Sequence, residues 1–242
     1  MSNIVLKQGQ VTAVIEQEGA FLTSIHTGSQ TIIFPRKQIQ SSYGVWKTRG
    51  GCHICFPNFG PGGDSGLDQH GFGRTENWDQ LTTSDSQVYF RLSGGNEEYS
   101  QIRADLRYTL MDDGLRCELL VKNMSDEPKD IAPGFHPYFS IPAGVTEVEV
   151  EGESYPLDQL AGTIFVDDPK TVKLGNMTLQ FRQLNLSRMA IWTDMLDNYV
   201  CFEPTFSGNS FEENPEENHS LEAQANARFM MEFHWSFDDT DE

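Results

Sequence analysis

Three short stretches set ionisable side chains inside runs that are otherwise apolar, aromatic or rich in glycine. GFHPYF places His136 between aromatic residues and beside Pro137, which stiffens the turn. An imidazole held there suits a general acid near neutral pH. YVCFEPTF brings Glu203 to the end of an apolar strand, just before Pro204. A carboxyl group emerging beside aromatics has its pKa raised, which suits a general base. QHGFGR sets His70 and Arg74 four residues apart among glycines, a pattern open to three readings: metal binding, phosphate binding or a turn. Arg49 precedes Gly50 and Gly51, where backbone can approach a ligand closely. Arginine presents a planar fork that fits phosphate or carboxylate oxygens. Arg36, Lys37, Lys47, Arg49 and Arg74 form a local concentration of base opposed only by Asp64 and Asp68 within residues 36–74.

The remaining histidines have plainer accounts. His26 and His234 lie in strand patterns, and His219 lies in an acidic loop, whereas His53 shares a Gly/Pro/aromatic stretch with Cys52 and Cys55. That CxxC is half a zinc site or a redox pair, but no second CxxC or HxxxH accompanies it. No HxH pair of the cupin kind occurs to make a metal site of His53, His70 and His136, so the reading calls for no metal and no cofactor. No GxxxxGK[ST], dinucleotide fingerprint or G-x-S-x-G elbow is present.

A scaffold for these loops is written in the alternation of the rest of the chain. NIVLKQ, QVTAVIEQ, FLTSIHT and TIIF follow one another over residues 3–34, and QVYFRLS, QIRADLRYTL, GLRCELLVKN, TEVEVEG, TLQFRQ and RFMMEFHWSF continue the period of two. Gly114 after Met111-Asp112-Asp113 marks a hairpin. No segment carries a helical stripe over three turns. The expectation is an all-β protein of two packed antiparallel sheets, one domain over 1–242, with an acidic tail at 238–242. Residues 41–77, 124–144, 153–170 and 203–219 are expected as long loops that carry the chemistry.

The 242 residues carry 36 acids against 17 bases, a net charge of −19. That disfavours nucleic acid and anionic membrane surfaces as partners. With no apolar run of about 18 residues and no secretory leader pattern, the expected location is cytoplasmic. Oligomeric state is not legible.

RGGCHICFPNFGP, QHGFGRTENW, FHPYF and VCFEP, in this order, resemble the aldose 1-epimerase (mutarotase) superfamily, most closely its glucose-6-phosphate 1-epimerase branch. The resemblance spans about residues 10–237. It implies a large twisted β-sandwich of the galactose mutarotase-like supersandwich kind. It implies His136 as general acid, Glu203 as general base and His70 as a substrate-binding residue. Arg49 and Arg74 match arginines that face the substrate's phosphate. The implied activity is interconversion of α and β anomers of a hexose 6-phosphate, with a carboxylate and an imidazole on opposite sides of the acetal carbon. The alternatives are a mutarotase of free aldohexoses and a non-catalytic carbohydrate-binding protein. Trp46, Phe56, Phe72 and Tyr138 are placed by position to wall the sugar, and Asp158 or Asp168 to supply a further acid. Gly73 stands where the branch has Ala, and His53 where it often has Pro.

Overall fold

The computed structural model describes residues 3–238. Of the acidic tail expected at 238–242, only Asp238 lies within them. Two nine-stranded antiparallel sheets dominate. The first runs Ile4–Gln8, Val11–Glu16, Phe21–Thr27, Gln30–Ile33, Gly134–Ser140, Tyr199–Thr205, Arg188–Trp192 and Ile164–Asp167, with Cys52–Cys55 bridging Phe21–Thr27 and Gly134–Ser140. The second runs Glu153–Pro156, Glu147–Val150, Thr171–Leu174, Met177–Leu184, Asn226–Phe237, Gly114–Asn123, Ile102–Leu110, Gln87–Ser93 and Asp79–Thr83. Its hairpin Ile102–Leu110/Gly114–Asn123 closes at Met111–Asp113, where the alternation places it. Among the described residues, no helix is long and apolar enough to cross a membrane.

Each sheet turns one face to the other. Phe139 from the first packs on Phe181 and Phe233 from the second, with centroids 5.9 and 5.0 Å apart. Opposite-face neighbours alternate along a strand, so Phe135 and Phe139 enter this core while His136 and Tyr138 point to the sheet's other side. That side is also covered. Cys52–Cys55 is buried at every position, as is Tyr199–Thr205, and Gly134–Ser140 is buried up to its last residue.

This double burial corrects the loop assignment. The stretches 41–77 and 124–144 contain the buried strands Cys52–Cys55 and Gly134–Ser140, and Glu203 sits within a third. The short Trp46–Arg49, Lys129–Ile131, Glu153–Pro156 and Ile164–Asp167, also in expected loops, are more exposed. A strand covered on both faces has no wet positions to alternate with dry ones, so its sequence loses the period of two. Cys52 and Cys55 lie three apart on one such strand and enter different apolar clusters, so the CxxC is not a pair; both thiols are free.

Candidate active site

The ladders align the central side chains. His136 pairs with His53 on the neighbouring strand. On its other side, the pairs Gly134–Thr205 and Tyr138–Cys201 bracket His136 and Glu203, setting these two opposite each other. His53, His136 and Glu203 therefore form one cross-strand row, and directly opposed residues share a face. His136 Nε2 lies 3.2 Å from Glu203 Oε2. The expected acid and base thus lie side by side on adjacent strands.

Aromatic rings hold the row in place. His136 is stacked between His53 (4.7 Å) and Tyr138 (4.7 Å, 11° between planes), and Trp192 meets it edge-on at 6.2 Å. Phe21 caps the other side of His53 at 5.2 Å. Burial pushes the His136 pKa well down, helped by His53, His70, Arg74 and Arg49, and pushes the Glu203 pKa well up. Both shifts disfavour separate charges, so the pair shares one proton between Nε2 and Oε2.

His70 arrives from the turn Asp68–Gly73. Its own backbone is left-handed (φ 64°), as is that of Gly71 (φ 65°). Gly71 is required here: a Cβ would stand 2.2 Å from the Phe56 carbonyl oxygen. His70 N donates to Gly60 O, and Gly60 N–H donates to His70 Nδ1 at 3.1 Å. With Nδ1 accepting, the neutral ring carries its hydrogen on Nε2 and is a donor. Burial, then Arg74, lowers the His70 pKa to about 3, so the ring is neutral near pH 7.

These groups line a cavity of about 560 Å³. It receives all five expected site residues: Arg49, His70, Arg74, His136 and Glu203. The two arginines differ in what they have left to give. Arg49 donates through Nε to Asp194 Oδ2 at 2.9 Å, with Nη2 in ion-pair contact at the same distance, and through Nη1 to Thr48 O. Asp194 is itself held by the Tyr199 hydroxyl. Arg36, a further lining residue, is paired with Glu16. Arg74 makes no ion pair or side-chain hydrogen bond among the described residues.

Several placements differ from expectation. Of the four aromatics assigned to the sugar wall, Tyr138 alone lines the cavity, and the other rings there are Phe21, Phe59 and Trp192. Phe56 is wholly in the core, Phe72 packs against it, and Trp46 is 62% exposed on the hairpin Lys37–Gln40/Trp46–Arg49. Neither Asp158 nor Asp168 lines the cavity, Asp168 being paired with Lys170 at the surface. Asp194, in the turn after Arg188–Trp192, is the acid that reaches the site's edge; no pattern in WTDMLDNY distinguishes it from its neighbours.

One group of three side chains brings metal-type ligand atoms within 4.8 Å of one another among the described residues: His136, Cys201 and Glu203. Burial pushes the Cys201 thiol pKa well up, away from the thiolate that a metal takes. The donor set is a poor fit for an ion.

The chain's architecture has close counterparts. A galactose mutarotase-like protein from Lactobacillus casei superposes with TM-score 0.80 at 19% identity, over 97% of this chain and 100% of that one. A galactose mutarotase related enzyme from Lactobacillus acidophilus gives 0.78 at 18%, over 100% and 99%. An aldose epimerase homologue from C. elegans gives 0.68 at 15%, over 98% and 99%. At these identities the likeness is one of fold. Comparison with curated proteins finds no match. The sequence profile described as Aldose 1-epimerase matches residues 2–225. With nearly the whole chain inside that match, the protein belongs to the aldose 1-epimerase family.

Proposed function

We propose that this member of an isomerase family interconverts the α and β anomers of a hexose 6-phosphate, with His136 as general acid and Glu203 as general base. The observation that carries the reaction is the 3.2 Å contact between His136 Nε2 and Glu203 Oε2 at the floor of the cavity. The two oxygens that exchange protons, O1 and O5 of the pyranose, are bonded to the same carbon. An acid and a base side by side match that geometry better than a pair facing across the ring.

In the productive state the shared proton sits on His136 and Glu203 is a carboxylate. Glu203 takes the proton from the C1 hydroxyl, the C1–O1 bond becomes a carbonyl, the C1–O5 bond breaks, and O5 takes the proton from His136. Rotation about C1–C2 presents the other face of the aldehyde. Closure runs the same transfers in reverse: Glu203 returns its proton to O1 and His136 regains the proton from O5. His70 donates Nε2–H to a sugar oxygen, and Arg49 offers its unused N–H groups to a hydroxyl while Asp194 holds it in place. Tyr138 and Trp192 supply apolar faces to the sugar's C–H edges.

Arg74 supports the phosphate. It is the cavity arginine with no acidic partner among the described residues, and a dianion at its fork supplies one. The pairing of Arg36 and Arg49 with acids favours the second reading, a mutarotase of free aldohexoses. Exchange NMR on glucose and glucose 6-phosphate separates them. Faster anomer exchange of the phosphate, lost selectively in Arg74→Ala, is the expected result. Acceleration of free glucose alone removes the phosphate, and sugar binding without acceleration of either leaves a carbohydrate-binding protein.

A further inference from the structure

The row of His53, His136 and Glu203 has one member that the proton transfers leave unused. His53 stands opposite His136 in the ladder, lines the cavity and is 5% exposed. Phe21 covers one face of its ring and His136 the other. Yet neither Nδ1 nor Nε2 has a hydrogen-bond partner among the described residues. Buried polar atoms are nearly always paired, and an orphan calls for a cause. His70, a few ångströms away, shows the ordinary solution, a backbone N–H on its ring nitrogen. A ring needed only to fill the stack at position 53 is better made by phenylalanine, which brings no polar atoms to bury.

We propose that His53 is a specificity-determining residue that hydrogen-bonds the C6 oxygen of the bound sugar. The assignment rests on the epimerase reading above and follows from the order of the row. Glu203 serves O1 and His136 serves O5, so the next position along the row lies beyond O5, where C5 carries C6 and its oxygen. The charges around His53 agree with that direction. After burial and His70, the groups that hold its pKa low are Arg74 and Arg36, the cations an O6-phosphate would face. The ring thus meets the sugar neutral, with one donor and one acceptor, which suits a hydroxyl or an ester oxygen. A half-turn about χ2 exchanges ring nitrogens and carbons while both faces stay covered, so the arriving oxygen selects the orientation without breaking the stack.

The test crosses His53→Phe with removal of the C6 oxygen. Anomer exchange is measured for glucose, 6-deoxyglucose and xylose, free sugars being used so that a phosphate contact does not mask the effect. The wild-type protein is expected to prefer glucose over the other two by about 10- to 100-fold in kcat/KM. His53→Phe is expected to lose about that factor on glucose and to change by less than about threefold on the two sugars lacking the oxygen. His53→Gln, which keeps a polar group and loses the ring, is expected to retain part of the preference. An unchanged His53→Phe protein, or an equal loss on all three sugars, overturns the proposal and leaves His53 as a stacking partner of His136. If the wild-type protein accelerates neither these sugars nor glucose 6-phosphate, the epimerase reading fails by itself. The same comparison run as binding by calorimetry then decides the role of His53 with the same outcomes.

Discussion

Each sheet buries a glutamate, and the two meet opposite fates. Glu203 on the first sheet is 3% exposed and Glu232 on the second is 2% exposed. Burial raises both, but Glu232 is bonded by Arg116, His234 and Arg182, which outweigh burial and hold its pKa below the ordinary value. Glu118 is treated in the same way by Arg107 and Arg228. Glu203 has no arginine, only the imidazole of His136, and its pKa goes well up. Equal exposure therefore says little about role, because Glu203 lies deep at the cavity while Glu232 is covered mainly by surface side chains such as Arg182 and His234. A carboxylate clamped by guanidinium groups is a fixed anion that ties strands together, whereas one left with a neutral ring can give and take a proton.

The largest expected effects come from breaking this contrast at its two ends. Glu203→Gln and His136→Ala should each lower kcat by roughly 10³-fold, the usual scale for losing a positioned acid or base. Neither should lower the urea midpoint as much as a core truncation, since each removes a buried ionisable group. Glu232→Gln should do the reverse. It should cost about 1–3 kcal/mol in urea unfolding, for charge-assisted bonds lost at a buried site, and leave kcat unchanged. A stable, inactive Glu232→Gln protein, or an active Glu203→Gln protein, would break the comparison.

The two sheets also differ in how plainly they are written. Gln87–Ser93 and Ile102–Leu110 in the second sheet keep polar residues on a wet face and were legible from alternation alone. The strands that carry His53 and His136 are dry on both faces and read as loops rich in aromatics and glycine, whereas the apolar strand of Glu203 was legible up to that residue and runs on to Thr205. His136 and Glu203 were nonetheless recognisable as ionisable groups among apolar ones, and with His70 they match the family motifs in order. His53 was obscured by its flanking cysteines, and its partnership with His136 exists only through strand pairing. The hold of Asp194 on Arg49 spans 145 residues, so nothing local announces it.

Acid should sharpen the comparison further. The His70 pKa falls from about 6.5 in an unfolded chain to about 3 in the folded one. Below about pH 6.5 the unfolded chain takes up a proton that the folded site refuses. Stability is therefore lost as pH falls from about 6.5 towards about 3, reaching about 2 kcal/mol by pH 5. Glu118 and Glu232 act later, because their stabilisation is present above the unfolded carboxylate pKa of about 4.3 and goes as pH falls through their lowered folded values. Burial holds His53 neutral as it does His70, so it adds to the same decline. His70→Asn, an exchange that tolerates the left-handed backbone, should remove the His70 share of the loss between pH 6.5 and 5, and Glu232→Gln should not. Urea melts across that range read the difference. The rate should trace a bell, because the His136–Glu203 pair lacks an acid once its shared proton is lost and lacks a base once a second is gained.

The smallest expected effect tests how rigid the first sheet's loop layer is. Gly73 stands where the motif that its stretch resembles has Ala, and its backbone needs no glycine on conformational grounds. Adding a Cβ would bring it to 3.0 Å from Phe56 Cβ and 3.3 Å from Ile54 Cγ2, both in fully buried residues. Gly→Ala gains about 0.4–1 kcal/mol by restricting the unfolded chain, which has to be set against the strain of pushing those neighbours apart. Phe56 has little freedom to yield: its N–H is bonded to His70 O and its carbonyl to Gly73 N–H, and its ring meets Phe72 edge-on at 5.7 Å. Any displacement of Phe56 is passed to His70 through that bond. Gly73→Ala should therefore be destabilising by under about 1 kcal/mol, with a larger relative effect on KM than on the urea midpoint. A stabilised variant with unchanged KM would show that the layer over the active-site sheet gives way more easily than the clamped face of the second.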